Sequence, residues 1–211
     1  MRHFVLLLVI VQLGCVKSNV DVSLEKFKCE DGGKGITVLA GEPEDYHFAE
    51  CIQERLEDDL ENVFFVQDDK FRDSLFPWFD PKTQPSSESK LGALLAKTMV
   101  KERIDALGID LLIYVNGYTF NREEYGWGGG HGAAVIFGGL SRHSSISISI
   151  WNLKDADHLG DLEAESKGTA HYGLLGVFPY LIPARTESAC CREIATFFSN
   201  WLVENGYLEG K

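Results

Sequence analysis

The hydrophobic pattern has its clearest period between Ser144 and Gly173. Ile146, Ile148 and Ile150 alternate with Ser145, Ser147 and Ser149, so branched side chains fall on one face and hydroxyls on the other. That alternation predicts a half-buried strand with a polar hydroxyl face. The polar cluster Asp155-Ala156-Asp157-His158 separates it from a second run carrying Leu159, Asp161, Glu163 and Glu165. Two strands so closely joined predict a β-hairpin.

Upstream, Ile36–Ala40 and Val63–Val66 are short apolar runs that predict strands. Between them Phe48, Cys51, Ile52, Leu56 and Leu60 recur at helical spacing, with Glu44 and Asp45 at the positive end of the helix dipole. Leu91, Leu94, Leu95, Val100, Ile104 and Leu107 predict one helix over 91–107, ended by Gly108. Asp110-Leu-Leu-Ile-Tyr-Val115 is apolar throughout, as a central strand requires. Ala189, Ile194, Phe197, Phe198, Trp201 and Leu202 predict a last helix opening near Thr186.

The aromatic segment Phe71–Phe79 contains Pro77, which interrupts any helix there, and is expected to dock against the sheet edge. The polar stretch 80–90 reads as a solvated connection. The whole predicts an α/β (α+β) fold in a single domain over 35–211. Its core is a single mixed β-sheet of about five strands covered by three helices, with a long β-hairpin before the C-terminal helix.

The chain opens Met1-Arg2-His3, continues with the apolar run Phe4–Val11 and reaches Gln12-Leu13-Gly14-Cys15. This is the pattern of a secretory signal peptide over 1–14, too short for a membrane span of roughly 20 apolar residues. Leu13-Gly14-Cys15 resembles the lipobox of bacterial lipoproteins, with Gln12 standing where that family usually carries Leu. The resemblance implies lipidation at Cys15, a polar tether through residue 34, and attachment to the periplasm-facing leaflet of the outer membrane. The alternative is an ordinary cleaved signal and a secreted protein.

Further along, FRDSLFPWF, IDLLIYVNG, and Gly168 followed by PARTESACCREIA resemble uncharacterised bacterial lipoproteins over most of the mature chain. The order strand–helix–strand–helix–strand is similar to the amino-terminal α/β domains of the curli-secretion lipoprotein CsgG and of TolB. No long amphipathic hairpin of the kind CsgG inserts into a membrane is read here, and a pore is not expected.

Composition narrows the function. The 211 residues are 45% apolar, enough for a sizeable core, and the formal charge is −12. An acidic chain without a basic stripe is not expected to bind nucleic acid, nor to attach electrostatically to anionic lipid. The glycine-rich loop 126–132 lacks a phosphate-binding lysine and does not lead into a helix, so it reads as an irregular connection. Tyr125 and Trp127 are then candidate exposed contacts. His47, His131, His143, His158 and His171 form no HExxH, and no metal site is expected. There is no GxSxG elbow, and Glu163 with Glu165 reads as a solvated pair, so no catalytic residue and no cofactor are assigned.

With Cys15 lipidated, Cys29, Cys51, Cys190 and Cys191 remain as disulfide candidates. Vicinal cysteines rarely pair, so Cys51 with Cys190 or Cys191 is the first expectation, and Cys29 with the other stays open beside buried free thiols. Trp78 and Phe79 are candidate interaction residues, in an aromatic patch of a kind that more often is core. The reading is a non-enzymatic accessory or scaffold module of the cell envelope, held at the membrane by a lipid anchor and meeting an unidentified envelope protein partner. The alternative is a secreted small-ligand binder or enzyme using loop 126–132.

Overall fold

A computed structural model describes residues 16–25, 35–80, 82–85, 87–125, 137–175 and 178–207. The expected signal segment 1–14, Cys15, Cys29, Trp127, His131 and loop 126–132 lie outside the described residues, as does the side chain of Tyr125.

The fold is mixed α/β on one sheet. Its strands are β1 (Lys17–Leu24), β2 (Gly35–Ala40), β3 (Phe64–Val66), β4 (Leu111–Tyr125), β5 (Phe137–Asn152), β6 (Asp157–Leu175) and β7 (Phe178–Ile182). Its helices are α1 (Tyr46–Asp59), α2 (Asp68–Ser74), α3 (Glu88–Leu95), α4 (Thr98–Leu107) and α5 (Thr186–Glu204). Neighbouring strands run β1-β6-β5-β4-β2-β3, and β7 pairs with β6. β2 lies parallel to both β3 and β4, with Ile36 beside Phe65 on one side and Leu111 on the other.

Several details differ from the sequence reading. Residues 17–24, read as tether, form strand β1; it is mostly exposed, so its sequence KSNVDVSL carries no apolar face to betray it. The segment before Pro77 forms α2, whose Phe71 is fully buried. The single helix expected over 91–107 is two, because Lys97 takes extended backbone angles between them. The hairpin strands are also far longer than read, 16 and 19 residues.

The chain divides into two compact units. One comprises Met1–Asn19, Tyr118–Ser145 and Glu165–Cys190; the other comprises Val20–Gly117, Ile146–Ala164 and Cys191–Lys211.

In the larger unit, β2 and the first part of β4 are covered on both faces. Leu39, Leu112 and Tyr114 join a buried cluster with Phe71 of α2, Phe79, Leu91 and Leu95 of α3, and Val100 and Ile104 of α4. Leu111, Ile113 and Val115 point the other way, toward the face where Phe48 of α1 stands against Gly117. A side chain at Gly117 would meet that ring at 2.6 Å. Gly160 of β6 has a φ of +128°, and its Cβ would overlap the Ser23 carbonyl, so only glycine admits β1 this closely. Glu25 donates its N–H to Leu159 O at 2.8 Å.

In the smaller unit, Ser144 Oγ lies 2.9 Å from Thr119 Oγ1 and 2.7 Å from Thr186 Oγ1, a chain of three hydroxyls. On the opposite face of these strands Tyr118 and Phe120 are exposed and stacked at 6.2 Å, with the His143 ring edge-on to Phe120 at 4.7 Å. Ser145 follows His143 on that face, the one expected to be polar, and is buried, as is Ser149 in the larger unit.

Candidate binding crevice

The three parallel strands of the larger unit carry a topological switch. From β2 the chain passes through α1 on one face to β3; from β3 it passes through α2, α3 and α4 on the other face to β4. The connections that leave β2 and β3 therefore run over opposite faces, and ligands of open α/β sheets bind in crevices beyond strand carboxyl ends at such a switch, here the end of β2 beside the first half of β4. A cavity of about 1220 Å³ lies there. Its floor is Gly41, Glu42, Tyr114 and Asn116; its wall is the connection 77–97, including Trp78, Gln84 and Leu94.

The wall is held by Arg72. Its guanidinium donates to the carbonyls of Ala40 at 2.6 Å and Phe79 at 3.1 Å, and to the Gln84 side chain, while Asp68 Oδ1 accepts from its Nε at 2.6 Å. Gln84 in turn donates to Gly41 O. Arg72 thus ties the end of β2 to the connection that crosses it, with its planar fork satisfying several acceptors at once. Tyr114 OH lies 3.1 Å from Pro85 O and 3.4 Å from Gly41 O, and burial raises its phenol above the ordinary value. This phenol is a structural tie, kept protonated at neutral pH.

The turn after β2 cannot cradle a phosphate. Asp45, at the start of α1, accepts the N–H of Gly117 at 3.0 Å and that of Glu42 at 3.1 Å. Its carboxylate occupies the Glu42 N–H and sets a negative charge where a phosphate loop needs free backbone donors. Positive charge enters from the opposite wall: Lys82, Lys90 and Lys97 line the crevice, and Glu42 is the only carboxylate among its described lining residues. In a chain of net charge −12 this is a local reversal of sign. A nucleophile–base pair is not among the groups that line it, and what it offers is cations, hydroxyls, amides and the apolar surface of Trp78, Pro77 and Leu94.

A second groove of about 530 Å³ lies along α1, bounded by Glu50, Glu54, Glu57, Asp68 and Asp69. Among the described residues no three His, Cys, Asp or Glu side chains converge as metal ligands.

The residues singled out from sequence fall in different places. Trp78 is half-buried at the crevice, whereas Phe79 is fully buried beside Phe71, ring centroids 5.1 Å apart, and offers nothing to a partner. Cys51 of α1 is bonded to Cys191 of α5, with Cα atoms 6.1 Å apart, and Cys190 is a buried free thiol. Burial pushes the Cys190 thiol up to about 11, and it donates to Ser144 O at 3.4 Å. Sequence reasoning missed the crevice, because its residues come from three separated segments. The signal available was three lysines within residues 82–97 of an acidic chain.

No helix among the described residues is long and apolar enough to cross a membrane, which says nothing of β-barrels. No family model and no curated protein matches the chain. Two structures of the PelC dodecamer from Paraburkholderia phytofirmans are similar at 10% identity over 90% of this chain, covering 98% and 97% of theirs, with TM-scores of 0.33 and 0.32. A neuraminyllactose-binding hemagglutinin homolog from Helicobacter pylori is similar at 14% identity over 86% of this chain and 92% of its own, with a TM-score of 0.37. TM-scores this low carry no argument about function.

Proposed function

We propose that this protein is a non-enzymatic recognition module of the cell envelope, anchored at the periplasmic side of the outer membrane by lipid on Cys15. The switch-point crevice, and not loop 126–132, is its working part. The observation that carries the recognition role is the crevice itself: a site held open by Arg72, lined by binding groups, and set where α/β sheets take ligands. The anchor rests on Leu13-Gly14-Cys15. Only Val16 separates Cys15 from β1, so a lipid there holds the module close to the headgroups and raises its local concentration toward envelope partners.

A single cellular experiment tests both parts. The chain is produced with a photo-crosslinking residue at position 97 and, separately, at the exposed Arg55 of α1. The expected result is acyl mass on a chain starting at Cys15, abolished by Cys15→Ala, and a crosslinked adduct at 97 but not at 55. A soluble chain without acyl mass overturns the anchor. Equal labelling at both positions, or none, overturns the crevice.

A further inference from the structure

The proposed crevice has a charge and a texture that select among ligands. We infer that it takes an anionic small molecule with a flat apolar body, the acid group held by Lys82, Lys90 and Lys97 and the body lying against Trp78 and Leu94. This rests on the recognition reading above and adds the ligand class to it.

Polarity comes first. The carboxylates of the chain outnumber its Lys and Arg side chains by 32 to 20, yet the crevice lining holds three lysines against Glu42 alone among described residues. Among described residues, neither Lys82 nor Lys97 forms an ion pair with the protein's own carboxylates, unlike Lys154, which pairs with Asp110, and Lys167, which pairs with Glu165. Leaving two cations without an internal partner beside a concave surface favours an external anion, because an enclosing low-dielectric wall focuses their field.

Position comes next. Asp45 sets a carboxylate at the start of α1 that already accepts the N–H groups of Glu42 and Gly117, so an anion is turned away from that side and toward the lysine wall. Ser87 caps α3, and Ser87, Ser89 and Lys90 line the crevice, so the first turn of that helix adds its own positive end.

Shape gives the remainder of the ligand. Trp78 is half-buried, with the Arg103 guanidinium 5.1 Å from its ring centroid. Together with Pro77, Pro85 and Leu94 it gives the cavity an apolar side. At about 1220 Å³ the space exceeds what a bare inorganic anion fills, since pockets for drug-sized ligands run roughly 300–1,000 Å³.

The test uses the mature Cys15→Ala chain, isotope-labelled, with two probes of the same aromatic framework: anionic 8-anilinonaphthalene-1-sulfonate and neutral N-phenyl-1-naphthylamine. Amide shifts are followed at Gln84, Tyr114 and Lys97. The expected result is that the sulfonate shifts these residues, and that Lys82→Gln with Lys97→Gln weakens it by about tenfold while leaving the neutral probe unchanged. Both lysines are exposed, so the double variant is expected to fold as the parent does. Equal binding of both probes at the crevice, insensitive to the lysines, overturns the anion and leaves the recognition site standing. Shifts confined to Tyr118 and Phe120, or none, overturn both.

Discussion

The carboxylate of Asp45 accepts the backbone N–H of Gly117 at 3.0 Å, joining the start of α1 to a strand 72 residues further on. Burial raises this carboxyl above its ordinary value of 3.8, and the N–H groups of Gly117 and Glu42 pull it back only in part. A raised folded pKa means the folded chain holds the proton more tightly than the unfolded one. The associated stability is complete below about pH 3.8 and is lost as pH rises through the raised value. Asp45→Asn cannot titrate. The stability of the parent minus that of the variant should therefore shrink in urea titrations as pH rises from below 3.8 through the raised value. A difference that grows with pH would show that the backbone donors win.

Arg72 and Asp68 form an ion pair whose side chains are 10% and 14% exposed. Removing the guanidinium leaves a buried carboxylate without its cation and three acceptors without a donor. Arg72→Ala should cost about 3–5 kcal/mol, and Arg72→Lys less, because one ammonium reaches fewer of those acceptors. Asp68→Asn added to Arg72→Ala should recover part of the loss, and additive losses in the cycle would contradict the pairing.

Reduction of Cys51–Cys191 releases a loop closed over 140 residues. The expected loss is about 2–5 kcal/mol, read from denaturant midpoints with and without reductant. Cys190 should stay unlabelled by maleimide in the native chain and react once it unfolds, because its thiol is buried and pushed up to about 11. Rapid native labelling at Cys190, located by peptide mass, would contradict its burial.

Gly160→Ala forces a side chain onto φ +128° and against the Ser23 carbonyl. β1 should part from β6 before the remainder of the sheet loosens. The measurable sign is faster hydrogen exchange at the Glu25 amide, which donates to Leu159 O, with Ile113 in the central β4 little changed.

What the sequence displayed was whatever the core demands of it. The apolar run Leu111–Val115 and the helical spacing of Ile194, Phe198 and Leu202 are legible because each residue is buried. β1 was illegible because an exposed edge strand needs no apolar face, only ladder hydrogen bonds and the gap at Gly160. The break between α3 and α4 leaves Leu91, Leu95, Val100 and Ile104 in one cluster, so the apolar spacing fits one helix or two. The serines misled in the opposite sense: Ser145 and Ser149, on the face read as polar, are buried.

The crevice was hidden for a different reason. Its walls come from the end of β2, from Tyr114 and Asn116 of β4, and from residues 77–97, whose middle part, 80–90, reads as a solvated connection. Only the topology makes that linker the rim of a cavity, and topology is a property of strand order, not of local composition. Phe79 shows the converse, an aromatic in a loop that local reading offers to a partner and packing consumes.

The Cys51–Cys191 bond also makes completeness of the chain a covalent matter. One sulfur sits on the first long helix and the other on the last, 140 residues apart. A chain cut short before residue 191 never closes the bridge and keeps Cys51 as a thiol. The bond is therefore a mark that α5 has been made and has docked.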